Sequence, residues 1–208
     1  MAPKILHDRC GTLVYAGGDD VLALLPVGTA LEAALALRNE FSTKEVMGEK
    51  ATLSAGLAIV HHKEDLRQAL DAARAAEKRA KEGGRNQLGV AILRHSGEQA
   101  GFRLGWDQVE DLDNLRNRFA EGMTDRWAYQ LRAEAPAFDG LAPEMTMAEL
   151  CRLLRRRIGD GTVTEADVNT LSTLFGNYIR WLATSTTPAT DVAVLAQSAS
   201  FLARGRDR

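Results

Sequence analysis

The tetrapeptide Gly17-Gly18-Asp19-Asp20 stands between two short apolar runs, and this arrangement constrains the fold more than any other feature of the sequence. The run before it (residues 11–16) and the run after it (residues 21–25) each have the length of a strand. Paired glycines and aspartates tolerate the backbone angles of a tight turn. The pattern of strand, short turn and strand predicts a β-hairpin with the tetrapeptide at its tip.

Strand-like and helix-like segments alternate up to residue 106, and only helix-like segments follow. In the first part, the pattern predicts a helix at 29–41, a buried central strand at 51–60, a helix at 63–81 that Gly83-Gly84 ends, and strands at 88–93 and 101–106. In the second part, it predicts helices at about 108–121, 124–134, 146–157, 165–183 and 189–203, with Pro136 between two of them. We therefore predict an α+β domain over residues 1–106 and an all-helical domain over residues 107–208.

The overall charge and the cysteines argue against several classes of protein. Lys and Arg number 26 against 28 Asp and Glu, so the net charge of -2 does not favour nucleic-acid binding by bulk electrostatics. No apolar run approaches the roughly 18 residues of a membrane helix, and no signal-peptide core is visible. Cys10 and Cys151 lie far apart without metal-type spacing, so we predict a reduced, cytoplasmic protein with no membrane partner.

Adjacent carboxylates at the tip of a hairpin are costly unless a positive charge lies nearby. A divalent cation meets this need, and Mg²⁺ or Mn²⁺ prefers oxygen ligands such as those of Asp19 and Asp20. Gly17 and Gly18 carry no side chains, so a bulky ligand could approach the backbone there. A metal-bound nucleoside triphosphate fits this pattern, but a plain polar turn explains the tetrapeptide equally well.

Three more residues of the first part could complete a nucleotide site. Lys81 ends a predicted helix and could reach phosphates, or it could simply be a favourable cation at a helix C-terminus. Ser54 and Gly56 lie in the apolar run 51–60 and could leave space for a base or a ribose. Taken alone, those two residues favour the alternative, which is close packing of a strand against a helix.

Three motifs in this order resemble those of the palm-type nucleotidyl cyclase and polymerase superfamily. They are the signature hairpin at residues 15–26 (YAGGDDVLALLP), the next core strand at 51–56 (ATLSAG) and the end of the following helix at 80–86 (AKEGGRN). Diguanylate cyclases of this superfamily usually carry Arg where Tyr15 stands, and Glu-Phe where Asp20-Val21 stands. The chain is more similar to the large, polymerase-like subunit of type III CRISPR effector complexes, most of all to the III-B subtype, in residues 61–64 and 94–97 and in its helical second part.

This resemblance implies a partial ferredoxin-like palm followed by a helical bundle, with nucleotidyltransferase activity. In that family the second palm binds ATP with Mg²⁺ or Mn²⁺ and makes cyclic oligoadenylate second messengers for antiviral defence when the complex engages target RNA. The family's roles would fall on these positions: Asp19 and Asp20 for catalysis and metal binding, and Gly17, Gly18, Ser54, Gly56 and Lys81 for nucleotide binding.

Other parts of that family's large subunit have no counterpart here. The first strand of the palm is expected to be absent, and no nuclease His-Asp pair or cysteine cluster is visible. We therefore expect activity only with the missing N-terminal portion or a companion chain, and with other effector subunits, guide RNA and target RNA. A truncated sequence or a split gene would explain the absence equally. The alternatives are a non-catalytic subunit that docks partners, and a diguanylate cyclase-like enzyme that uses GTP.

The second part offers one candidate surface, a basic cluster formed by four arginines between residues 152 and 157. This cluster could contact RNA phosphates, and a solvated helix face is the alternative. Aromatic side chains are predicted to be core anchors rather than base-stacking platforms; the tryptophans among them are Trp106, Trp127 and Trp181.

Overall fold

The chain divides into two compact units, each described by itself below. The computed structural model describes residues 2–18, 20–43, 45–46, 49–158, 163–182 and 185–205. The first unit extends to Val109, and the second runs from Glu110 to Arg204. The first combines strands and helices, whereas the described residues of the second form helices and their connections. The predicted fold class, an α+β region followed by a helical region, is confirmed.

Short strands and three helices build the described part of the first unit. In chain order they are α1 (Ala2–His7), β1 (Thr12–Gly17), β2 (Asp20–Leu24), α2 (Val27–Ser42), β3 (Glu45–Val46), β4 (Glu49–Lys50), β5 (Ala55–Val60), α3 (Leu66–Glu82), β6 (Gln87–Leu93) and β7 (Gln99–Gly105), followed by a 3₁₀ turn (Trp106–Gln108). Strands β1 and β2 form the predicted antiparallel hairpin. A three-stranded sheet has the order β5-β6-β7, with β5 parallel and β7 antiparallel to β6.

The central strand of that sheet is β6, and the prediction that residues 51–60 form the central strand is wrong. Every residue of β6 from Gln87 to Ile92 is buried, whereas β5 has β6 as its described sheet neighbour and is mostly half-buried. Residues 51–54 are not part of the strand. The carbonyl of Leu53 instead accepts a hydrogen bond from the indole Nε1 of Trp106 at 2.9 Å. An apolar run thus indicates a strand but neither its burial nor its position in the sheet.

Helix α3 lies directly on two glycines of the sheet. Gly56 of β5 and Gly89 of β6 are partners in the parallel register. A methyl group on Gly56 would lie 2.6 Å from the backbone nitrogen of Glu77, and one on Gly89 would lie 2.6 Å from the carbonyl carbon of Ala76. Because neither distance leaves room for a carbon atom, the two glycines let the helix backbone approach the strands.

The second unit consists of five described helices. They are α4 (Val109–Ala120), α5 (Arg126–Phe138), α6 (Pro143–Arg155), α7 (Glu165–Leu182) and α8 (Pro188–Arg204). Pro143 and Pro188 are the first residues of their helices, a position where the missing N–H costs nothing. Pro136, predicted to lie between helices, is inside α5, which ends two residues later. None of the helices in the described part of the chain combines the length and apolarity that crossing a membrane requires.

Aromatic side chains anchor both cores, as predicted. Trp106 is 3% exposed in the first unit, and Trp127 is 1% exposed in the second. The rings of Phe119 and Phe175 lie 5.8 Å from Trp127, one stacked and one edge-on. Such rings are buried packing elements and are not available to nucleobases.

Candidate functional site: the tip of the first hairpin and the end of helix α3

The hairpin tip has the geometry of a tight turn that needs glycine. Gly17 pairs with Asp20 at the ends of β1 and β2. Gly18 has φ = +61°, and apart from its two chain neighbours no atom of the described residues lies within 4 Å of the position where a Cβ would stand. The carboxylate of Asp20 is exposed, and none of the described residues donates a hydrogen bond to it. Asp19, the other predicted carboxylate, lies outside the described residues.

The space beside Gly17 is not open, in contrast to that beside Gly18. A methyl group on Gly17 would lie 2.8 Å from Cζ of Tyr15 and closer still to the Tyr15 hydroxyl. The phenol ring therefore lies across this glycine. The prediction that a missing side chain admits a ligand fits the geometry at Gly18, whereas at Gly17 the missing side chain accommodates Tyr15.

Lys81 lies in the last turn of α3, and the negative charge of Asp20 contributes to its raised pKa. Its Nζ forms an ion pair with Oε1 of Glu77 at 2.6 Å. This hydrogen bond and the negative charge of Glu77 raise the pKa of Lys81; Asp20 acts in the same direction, while burial and Arg85 oppose it. Glu77 is therefore the main charge partner of Lys81, and Asp20 at the hairpin tip adds to the stabilisation of the cation.

The turn after α3 is held by Ser54. Arg85 and Asn86 follow the helix with φ values of +63° and +49°, a left-handed conformation that is uncommon for residues other than glycine. The hydroxyl of Ser54 accepts a hydrogen bond from the backbone nitrogen of Asn86 at 3.0 Å. Ser54 thus fixes the turn that follows the Lys81 helix, a role that no sequence signal indicated because 32 positions separate the two partners.

Gly56 belongs to the same neighbourhood through packing. Its missing side chain admits the backbone of Glu77, and Glu77 in turn holds Lys81. The structure therefore relates the predicted residues in two groups. Asp20 and Lys81 interact electrostatically. Ser54 instead bonds the turn after α3, and Gly56 packs against the backbone of that helix.

Comparison with known proteins identifies the first unit. Residues 1–89 match the family model described as Cas10/Cmr2, second palm domain. The palm of this chain belongs to that family. The curated CRISPR system Cmr subunit Cmr2 of Pyrococcus furiosus is 37% identical over 158 residues. That alignment covers 71% of this chain and 18% of the relative, so the chain spans less than a fifth of the relative's length.

The described side chains of the Cas10/Cmr2 palm would hold a magnesium or manganese ion only together with oxygen atoms of a bound ligand. No three His, Cys, Asp or Glu side chains among the described residues converge as a metal site. Magnesium is commonly held by one or two carboxylates together with substrate phosphates, and it keeps several waters. Asp20, exposed at the tip, supplies one such carboxylate, and Asp19 is its sequence neighbour.

Two of the four arginines in the basic cluster of the second unit form described ion pairs, and a third donates a hydrogen bond to a glutamine. Its described acceptors are Glu149 and Glu134 for Arg152, Glu165 for Arg155, and Gln130 for Arg157. Exposed ion pairs are worth only about 0–1 kcal/mol, so these contacts fit a solvated helix face but would not keep the arginines from a phosphate. Contact of this cluster with RNA stays a prediction.

Proposed function

We propose that the Cas10/Cmr2 palm of this chain binds ATP with Mg²⁺ or Mn²⁺ at the hairpin tip and takes part in the synthesis of cyclic oligoadenylate in a type III CRISPR effector complex. It would act together with other parts of a large subunit, with further effector subunits, and with guide RNA and target RNA. The observation that carries the proposal is an exposed carboxylate at a glycine turn, Asp20, whose charge acts on the lysine at the end of α3, Lys81, in a palm of this family.

Each residue would contribute to binding in a distinct way. Asp20, with Asp19, would hold the metal ion, which when bound offsets the charge of the triphosphate. Lys81 would attract the phosphates as a point charge, held ready by Glu77 at 2.6 Å. The open side of Gly18 would leave room for phosphate oxygens. Ser54 and Gly56 would act through the position of α3 and its following turn.

Calorimetric titration of the full chain with ATP and Mn²⁺ tests this proposal. Asp20→Asn keeps the size of the side chain and removes its charge, so we expect it to weaken binding at least tenfold, since a charge-assisted contact is worth about 1.5–3 kcal/mol. Asp71→Asn, at an exposed position of α3 ten residues before Lys81 and so about 15 Å from it along the helix axis, is the control and should bind as the unsubstituted chain does. Equal affinity of Asp20→Asn and the unsubstituted chain would refute a metal role for this carboxylate.

The nucleotide itself separates this proposal from its alternatives. Preference for ATP over GTP supports an oligoadenylate synthase, and preference for GTP supports a diguanylate cyclase-like enzyme. A chain that binds neither nucleotide but assembles with effector subunits would be a structural component.

A further inference from the structure

Tyr15 is an exposed aromatic residue that reaches the tip of the hairpin. It is two residues before Gly17 on β1, and its ring lies across that glycine with the hydroxyl nearest. Its side chain remains exposed, at 55% for the residue. Among the described residues, none forms a hydrogen bond with its hydroxyl. Because Gly17 has no side chain, the Tyr15 hydroxyl can lie at the turn, and it has no hydrogen-bond partner among the described residues.

The register of the hairpin places Tyr15 on the same face as Asp20. Tyr15 pairs with Leu22, and Gly17 pairs with Asp20. Side chains of directly opposed residues share one face of a sheet, and so do those of residues two apart along a strand. The phenol hydroxyl above Gly17 therefore lies on the face that carries the Asp20 carboxylate.

We infer that the hydroxyl of Tyr15 donates a hydrogen bond to a phosphate oxygen of the nucleoside triphosphate. This inference rests on the proposed function, because it assumes that the triphosphate binds at the hairpin tip. A phenol is a neutral donor, so beside a carboxylate it can contact an anionic ligand without adding repulsion. Triphosphate oxygens are the ligand atoms that a metal held by Asp20 would bring to this face.

The packing of the ring on Gly17 also has a purely structural explanation. An aromatic ring that covers a glycine in a sheet stabilises the strand, and this effect requires the ring but not the hydroxyl. Binding a phosphate requires the hydroxyl. Tyr15→Phe removes the hydroxyl and keeps the ring, so it separates the two explanations.

The test is calorimetric titration of the full chain with ATP and with GTP, each with Mn²⁺, alongside a thermal melt. We expect Tyr15→Phe to weaken the binding of both nucleotides by the same factor, roughly tenfold, with an unchanged melting temperature, because a hydrogen bond to a charged acceptor is lost. The matched control is Tyr129→Phe, which changes an exposed tyrosine of the helical unit, 44% exposed, and should alter neither quantity.

A second variant checks the role of Gly17. Gly17→Ala should displace the phenol and weaken binding in the unsubstituted chain, but add little in the Tyr15→Phe background, where the hydroxyl is already absent. Equal affinity of Tyr15→Phe and the unsubstituted chain, with Asp20→Asn still defective, would overturn the inference and leave the proposed function standing. A loss confined to ATP would place the contact at the base and overturn the phosphate assignment. An unsubstituted chain that binds neither nucleotide would overturn both proposals.

Discussion

Substitution of Gly56 by alanine should loosen the contact between helix α3 and the sheet. The new methyl group would lie 2.6 Å from the backbone nitrogen of Glu77 and closer to the carbonyl oxygen of Ala73. Since ordinary contacts need about 3.5 Å, the helix must move by roughly 1 Å. Overpacking in a core typically costs about 1–3 kcal/mol. We expect a value near 3 kcal/mol, because the obstructing atoms belong to the main chain and cannot rotate away.

Hydrogen exchange of the β6 amides, read by mass spectrometry, measures the stability of the first unit apart from that of the second. Gly28→Ala is the matched control, because among the described residues no atom outside its chain neighbours and the backbone of its own helix lies within 4 Å of the added methyl group in α2. Alanine is favoured over glycine within a helix by about 0.5–1 kcal/mol, so this variant should be unchanged or slightly more stable. The packing argument fails if Gly56→Ala is within 0.5 kcal/mol of the unsubstituted chain, a margin typical of a surface substitution.

Two further substitutions test contacts made by side chains. Asp167, at the start of α7, accepts hydrogen bonds from Thr164 and Arg118. Burial raises its pKa, but these bonds outweigh it and lower the pKa below the usual value. The stabilisation of the second unit by Asp167 is therefore present above about pH 4 and is lost as the pH falls further. In urea unfolding, Asp167→Asn should lower the free energy of unfolding by about 2 kcal/mol at pH 7 and by nearly nothing near pH 2. An equal loss at both pH values would refute this. Ser54→Ala should cost about 1 kcal/mol and speed exchange of the Asn86 amide, whose unchanged exchange would contradict the hydrogen bond.

Elements defined by local pattern could be predicted from the sequence. The hairpin, helix α3, strands β6 and β7 and the five later helices all have short-range signals, such as turn residues, apolar periodicity or a glycine stop. The predicted helix 63–81 is observed at Leu66–Glu82, and the predicted strand 88–93 at Gln87–Leu93. Local patterns suffice here because the period of the apolar residues and the residues at the ends of an element are features of that segment alone.

Contacts between distant residues could not be predicted. The register that sets Gly56 beside Gly89, and the hydrogen bond from Asn86 to Ser54, join residues more than thirty positions apart. The placement of Tyr15 over Gly17 is different: the two are close in sequence, but the direction of the ring depends on the side chains around it. A motif therefore names the residues of the candidate site without stating which of them face a ligand and which support the backbone.

The arrangement of the three-stranded sheet has a consequence for how the first unit folds. Its strands and the helix that crosses it come from one uninterrupted stretch, Ala55 to Gly105, and each strand pairs with the next along the chain. The loop between β6 and β7 is short and loses little entropy on closure, whereas helix α3 fills most of the longer connection between the parallel strands β5 and β6, so this stretch can assemble from contacts within itself. The hairpin with the glycine turn pairs only within itself among the described strands. Strand pairing therefore does not make the hairpin, which carries the proposed nucleotide site, wait for the three-stranded sheet to form.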